Sequence, residues 1–533
     1  MRKGEMRGRS VHMAEKGVCM ALALAATLGA QAAPKLIFHG WDTLDASPAE
    51  MLANADAIAK CGSDGFSFIV KTKNQNGEAI NSCYLMNGAR WRWEDVAGFK
   101  PQIRELVKKP GLEWSMLHFW GQPRPRLALT DDAAWELAAN NLAVLARLAR
   151  EGGLKGMVLD AEDYFKSRQY FWDPEKDPPW EESVRLMRRR GAQFFGGAFK
   201  AFPDMDLLSF FFFALDSDYG KCEADPRVTM VRKKDLWPAF LNGMLDVLPP
   251  TARICDGDEN AYHYQAARCD FAKAASRQLT GVLPLVAPSN RAKYRAQNMV
   301  GYGFYLDGYA SPTNSPWYVP AVNGSRVAAL DANLRSAVKS SDGYIWIYGE
   351  RHPFIEWKQP PIVRAMSRWK GHRTWEEPLP GFRNVLDANT KPLEYVARRR
   401  AEMKADGTYT NLVAGLKPGK NGHVSKFLPA RTLGDWYALS FDMKGFGRGL
   451  VSWMGRRGWM WEHSDFATFS SPNVDGVRRG VIIARVPPDA GQIYICLDGN
   501  TDARKNVEFS NFELLLVDHI AAGSVSRYHV KKE

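Results

Sequence analysis

Three short stretches place carboxylates beside aromatic residues: Asp160-Ala161-Glu162-Asp163-Tyr164, Asp256-Gly257-Asp258-Glu259-Asn260-Ala261-Tyr262 and Tyr344-Ile345-Trp346-Ile347-Tyr348-Gly349-Glu350. Two carboxyls in one cleft can divide the work of acetal cleavage: one protonates the leaving oxygen, and the other attacks carbon or activates water. Crowding in a partly desolvated cleft raises the pKa of at least one of them, which keeps it protonated near neutral pH. Asp160 and Glu162 are two positions apart, so in extended backbone both point the same way. Glu162 is therefore the leading acid/base candidate, with Asp160 to tune or orient it and a salt-bridged structural pair as the alternative. Asp258 and Glu259 are adjacent and face opposite ways, so one of them acts while the other caps or is solvated. Asp258 is taken as catalytic and Glu259 as a substrate ligand. Glu350 is the fourth catalytic candidate, set against an ion pair with Arg351.

Around these carboxylates, the residues that follow the expected strands supply sugar-binding chemistry. Trp41, His118, Trp120, Tyr164, Tyr262, Tyr305 and Tyr348 offer flat apolar faces or ring donors, and Asp42 and Asp307 offer acceptors. A lone acid after a strand often caps the next helix, so Asp163, Asp216 and Asp307 fit that role equally well. Asp256, Asp258 and Glu259 are hard oxygen ligands, but the run lacks the D-x-D-x-D-G calcium loop, and no metal site is assigned. No nicotinamide, flavin or pyridoxal signature occurs, so no cofactor is expected.

The elements that must position these residues form a regular alternation. Strands are expected at Lys35–Trp41, Gly65–Lys71, Trp114–Trp120, Gly156–Asp160, Leu207–Leu215, Arg253–Asp256, Val300–Leu306 and Gly343–Tyr348. Ser47-Pro48-Ala49-Glu50 reads as a capping box that opens a helix. Thr130-Asp131-Asp132 opens another, with Trp135, Ala138, Leu142, Leu145 and Ala149 on one face and Gly152-Gly153 at its end. Eight strand–crossover units predict an α/β fold of the (β/α)₈ barrel type over residues 35–375, whose function lies at the C-terminal strand ends. A doubly wound sheet would show a Gly-rich phosphate turn after the first strand, and that turn instead reads His39-Gly40-Trp41-Asp42-Thr43. A linker is expected at 376–395. Beyond it, strand-like runs Trp436–Met443, Gly480–Val486, Gln492–Leu497 and Val507–Val517 predict an all-β sandwich or jelly roll over 396–520, followed by a polar tail at 521–533.

On these residues the chain resembles the TIM-barrel glycoside hydrolase superfamily, and more narrowly secreted bacterial hydrolase-like barrels with G-x-x-x-D-x-E-x-Y (Gly156 to Tyr164), D-G-D-E-x-A-Y (Asp256 to Tyr262) and Y-x-W-x-Y-G-E (Tyr344 to Glu350). The resemblance covers residues 35–375. It implies hydrolysis of a glycosidic bond in an oligo- or polysaccharide, with retention or inversion left open. The fourth-strand D-x-E also resembles chitinase-like barrels, although Gly153, Gly156 and Val158 stand where their earlier acids would be. Barrels with Asn-Glu on the fourth strand fit less well, because position 161 is Ala. An Asp nucleophile on strand four with an acid on strand six would assign Asp160 and Asp258. The region after 396 resembles jelly-roll carbohydrate-binding modules, with Trp436, Trp453, Trp459 and Trp461 beside Arg448, Arg456 and Arg457 as the candidate face. A non-catalytic glycan-binding or cell-surface protein that retains such a barrel is the alternative.

Composition sets the surroundings. The chain has 533 residues, 18 of them Trp, and a net charge of +12. Arg2, Lys3, Arg7, Arg9 and Lys16 precede an apolar run, Val18 to Leu28, and Ala30-Gln31-Ala32; these are the parts of a signal peptide spanning 1–32. Secretion or periplasmic export from a bacterium is thus expected, with no membrane span. Cleavage would remove five basic and two acidic groups and leave +9. The basic groups are scattered and the rim acids repel phosphate, which argues against nucleic acid. A basic exported surface would instead attract an anionic glycan. The cysteines form no C-x-x-C pair; Cys61–Cys83 and Cys255–Cys269 are the local disulfide options, beside buried thiols.

Overall fold

The computed structural model describes residues 34–213, 226–358, 373–390 and 400–517, except 269, 323, 342, 401–403, 406, 408, 419–422, 431–435, 446, 457, 470–473, 488–489 and 500–506. The expected signal peptide, the tail at 521–533, and the candidates Asp216, Arg457 and Cys269 lie outside the described residues. The chain divides into a compact unit over 34–390 and a second over 391–529.

The first unit is built on a parallel sheet of nine segments: β1 (Lys35–Gly40), β2 (Gly65–Phe68), β3 (Met116–Trp120), β4 (Gly156–Asp160), β5 (Asp206–Ser209), β6 (Arg253–Asp256), β7 (Asn298–Val300), β8 (Tyr302–Tyr305) and β9 (Tyr344–Gly349). β7 pairs with β6, β8 pairs with β9, and β9 pairs with β1. β7 and β8 therefore fill one strand position, broken at Gly301, and the eight positions make a barrel-like parallel sheet with helical crossovers. Gly301 is required at the break. A Cβ there would meet Cys255 Sγ at 2.6 Å and Tyr344 O at 2.7 Å. The expected seventh strand, Val300–Leu306, is thus two pieces.

Alternation sorts each strand. Ile37, Met116, Val158, Leu208, Met299, Tyr344 and Trp346 pack together in the barrel interior, so the same pleat directs His39, His118, Asp160, Phe210 and Tyr348 inward near the strand ends. The fifth strand ends at Ser209, short of the expected Leu215. There the Ser209 hydroxyl donates to Phe211 O at 2.7 Å and turns the chain.

Long helices cover the sheet. α1 (Asp132–Gly152) starts where Asp131 accepts from Ala134 N and ends on left-handed Gly153. α2 (Trp180–Ala201) and α3 (Trp237–Val247) cross where glycines face each other's backbone. A Cβ at Gly191 would sit 1.9 Å from Phe240 O, and one at Gly243 1.9 Å from Arg188 O. Ser47 and Glu50 form the expected capping box. Within the stretch where the sequence suggests a linker, Phe382–Thr390 is helical, and Asn389 donates to Asp331 of α4 (Arg326–Ser340) at 2.8 Å.

The second unit is all-β, with two antiparallel sheets. One contains β10 (Val424–Pro429), β12 (Gly447–Gly455) and β14 (Ala490–Gly499); the other contains β11 (Trp436–Lys444), β13 (Val477–Arg485) and β15 (Glu508–Val517). Leu439, Phe441, Trp453, Ile493, Ile495 and Leu514 join both sheets in one core. Trp453, expected among the binding aromatics, is thus a core residue with no exposed surface.

Candidate active site

The carboxylates converge where β4, β6 and β9 end. Asp160 closes β4 and is buried, and its Oδ1 accepts the Glu162 N–H at 2.9 Å. This bond fixes the turn that brings Glu162 back over the barrel. The Tyr164 hydroxyl reaches Asp160 Oδ2 at 2.9 Å and also contacts Glu162 Oε2. One phenol proton cannot serve two carboxylates, so the pair favours keeping a second proton on a carboxyl group. Burial raises the Asp160 pKa well above the carboxylate range, and the Glu162 charge adds to this. Burial also raises Glu162; the Tyr164 bond opposes the rise, and the Glu350 charge reinforces it.

Glu259 belongs to the same group. Burial raises its pKa well above the usual value, and the charges of Glu162 and Asp160 raise it further. Its Oε2 is buried without a hydrogen-bond partner. Across the mouth, Glu350 Oε1 accepts the Tyr348 hydroxyl at 2.7 Å. Tyr305 and Tyr262 lie 5.5 and 6.5 Å from the Tyr348 ring, in stacked orientation. No Lys or Arg lies within ion-pair distance of Asp160, Glu162, Glu259 or Glu350 among the described residues. Nor do the described residues hold a group of three side chains placed to bind a metal ion.

Two histidines lie at the buried base of this group. The His39 and His118 rings are 5.1 Å apart. His39 Nδ1 is 2.6 Å from Ser67 Oγ, and burial lowers its pKa to about 3. His118 Nε2 is 3.8 Å from Asp160 Oδ2, and neither ring nitrogen makes a hydrogen bond. Burial lowers its pKa well below the usual value. Burial thus disfavours the charged form of both rings and with it their compensation of the acids.

Several candidates stand elsewhere. Asp258 is fully buried in left-handed backbone (φ 35°), paired with Arg277 at 2.9 Å and accepting from Tyr264 at 2.9 Å. Its Oδ2 is committed to those partners and its Oδ1 accepts from Asn260 Nδ2 at 3.3 Å, so Glu259 is the member of the adjacent pair that reaches the acid group. Asp42 accepts from Phe354 N at 2.9 Å and Trp357 Nε1 at 3.0 Å, and burial raises its pKa to about 6. Asp307 accepts from Glu350 N at 2.8 Å and pairs with Arg351 at 3.2 Å; its pKa is raised to about 6, chiefly by burial. Both fasten the loop after β9, and Arg351 is matched to Asp307 rather than to Glu350. Asp163 accepts from Ser167 N and Arg168 N, which makes it a turn residue. Trp41 and Trp120 pack on Leu44, Ile69 and Cys83. Cys61 and Cys83 are both buried thiols, with no disulfide between them.

The sequence reading missed Trp317, Tyr84 and Phe165. Trp317 stacks on His263 at 5.1 Å and adjoins Tyr305 at 5.4 Å. A Trp in the Pro-rich loop Ser311–Trp317 was the available signal. Tyr84 follows the second strand, whose rim had supplied no candidate; it lies 5.1 Å from Trp120 and 6.0 Å from Phe165.

The class these features define is an α/β barrel-like unit with an acid-rich, aromatic-lined mouth. No family model matches the chain, and no curated protein does. Among solved structures, it is similar to a GH18 chitinase from Pseudoalteromonas aurantia, with 12% identity over 59% of this chain and 93% of that one and a TM-score of 0.26. A GH5-4 broad specificity endoglucanase from Clostridium longisporum is 8% identical over 65% of this chain and 86% of its own, with a TM-score of 0.33. D-psicose 3-epimerase from Clostridium cellulolyticum H10 is 10% identical over 68% of this chain and 98% of its own, with a TM-score of 0.30.

Proposed function

We propose that the protein is an exported glycoside hydrolase acting on an oligo- or polysaccharide at the barrel mouth. One observation carries this reading: Asp160 and Glu162 share the Tyr164 hydroxyl in a buried setting without a cation. Such a pair retains a proton near neutral pH, as a general acid must. Glu162 protonates the leaving oxygen, and Asp160 orients it by accepting its N–H and the shared Tyr164 hydroxyl. Glu350, oriented by Tyr348, attacks the anomeric carbon or activates water. Glu259 binds a sugar hydroxyl, while Tyr262, Tyr305 and Tyr348 flank the sugar.

The test is Glu162→Gln with release of new reducing ends measured across a panel of polysaccharides. Turnover should fall by about a thousandfold, within the range for loss of a general acid, and an unchanged rate would remove Glu162 from the role. Binding of glycan by wild-type protein, with no product from any polymer, would leave a sugar-binding barrel in place of an enzyme.

The second unit we read as a jelly-roll-type glycan-binding module. Support comes from its outward aromatics: Trp459 and Trp461 stack at 4.6 Å, and Phe427 and Tyr494 lie 5.7 and 5.1 Å from Trp459. Trp461 is 54% exposed. Replacing both Trp459 and Trp461 by Ala should weaken retention on insoluble polysaccharide by about tenfold, given 1–2 kcal/mol of stacking. Turnover of short soluble substrates should not change; equal retention would refute the module.

A further inference from the structure

We infer that the substrate is an acidic glycan, whose carboxylate or sulfate group is held by Arg124 and Lys166 beside the mouth. The inference rests on the glycosidase reading and adds the substrate class. Arg124, Lys166 and Arg168 are exposed in the loops that follow β3 and β4. None has a carboxylate within ion-pair distance among the described residues, whereas neighbouring Arg126 is bound by Asp177 at 2.7 Å. Arg277 and Arg351, which flank the site from other loops, are likewise matched to Asp258 and Asp307.

Arg124 is placed by ring contacts, and Lys166 follows Phe165 in the chain. The Arg124 guanidinium lies 5.1 Å over the Phe165 ring, Phe165 is 5.6 Å from Trp120, and Trp120 is 5.2 Å from Tyr164. Tyr164 in turn touches Glu162. A run of ring contacts thus links Arg124 to the acid, and neither Arg124 nor Lys166 is within ion-pair distance of Glu162 among the described residues. They are well placed for a substituent on a neighbouring sugar whose ring lies along Tyr164 and Tyr84, which are 51% and 41% exposed.

The backbone points the same way. Lys166 and Arg168 have φ of 54° and 55°, left-handed at two residues that carry side chains. Left-handed backbone is disfavoured at residues that carry a Cβ. The turn is held by Asp163, whose oxygens accept from Ser167 N at 2.8 Å and Arg168 N at 2.7 Å. An anion would otherwise be repelled by the uncompensated carboxylates, so cations without a carboxylate partner beside the mouth allow an acidic polymer to approach.

The experiment uses full-length protein bearing Glu162→Gln, so that ligand persists, and measures affinity for polygalacturonate, dextran sulfate and neutral dextran. A second protein adds Arg124→Gln/Lys166→Gln. A third adds Lys60→Gln/Lys109→Gln, the same charge change in loops before β2 and β3, at the opposite end of the barrel. The rim variant should lose about tenfold or more in affinity for one polyanion, as expected for two charge-assisted contacts. The remote variant should lose little. Loss for polygalacturonate alone assigns a uronate, and loss for dextran sulfate a sulfate ester. Absence of wild-type-level polyanion binding, or equal loss in both variants, overturns the proposal. Selective loss in a protein whose Glu162-intact parent cleaves nothing would retain the acidic-glycan site and sink the glycosidase reading alone.

Discussion

The two ends of the barrel treat charge in opposite ways. At the N-terminal end, Asp206 opens β5 and Arg253 opens β6, and the two form a bidentate pair at 2.9 and 2.7 Å. Tyr344 donates to the same carboxylate at 2.5 Å, and Lys35 pairs with Asp64 at 3.4 Å. At the C-terminal end, Asp160, Glu162 and Glu259 crowd together: the Glu162 charge raises the pKa of Asp160, and both raise that of Glu259. Compensated charge holds strands in place; uncompensated charge costs stability and is retained where chemistry needs a protonated acid.

The largest expected difference lies in stability at the compensated end. Arg253→Met leaves the nearly buried Asp206 carboxylate without its cation and should destabilise the barrel by about 2 kcal/mol, discounted because Arg253 is half exposed. Activity per folded molecule should persist. A thermal midpoint equal to wild type would break the contrast.

Glu259→Gln should act with the opposite sign. A carboxyl whose folded pKa is raised contributes most below its unfolded pKa, and that contribution is lost as pH rises through the folded value. The Gln variant should therefore gain stability on wild type as pH rises toward and past neutrality, while turnover falls by about tenfold. Melting curves from pH 4 to 8 decide this, and a destabilised variant at pH 8 would show that the mouth is not strained by charge.

The smallest effect is a shift of pH profile. The Tyr164 bond lowers the Glu162 pKa, so Tyr164→Phe should move the alkaline limb of activity to higher pH. A shift to lower pH would mean that the phenol stabilises the protonated form instead.

Local pattern was enough for much of this. The sequence sets Asp160 and Glu162 two positions apart, although the strand ends at Asp160 and a turn rather than extended alternation carries Glu162 on, while Ser47, Asp131 and Gly153 cap their helices as their types dictate. Adjacent acids were harder to sort. Asp258 and Glu259 differ in role because Arg277 and Tyr264 arrive from a later segment to claim Asp258, and no local signal announces a partner 19 residues away. Asp42 presents the same difficulty at greater range, since its partners Phe354 and Trp357 lie more than 300 residues on.

The sequence by itself determined the alternation of strands and helices, the all-β second unit and the clustering of acids with aromatics after strands. Those follow from periodicity and residue type, which act over a few residues. Only the tertiary structure decided which acids are matched by cations and which are left to one another. It also brought Trp317 and Tyr84 to the mouth, through closure of the strands at Gly301 and packing of loops distant in the chain. Charge compensation is a property of neighbours in space, so the site became legible only when the barrel supplied them.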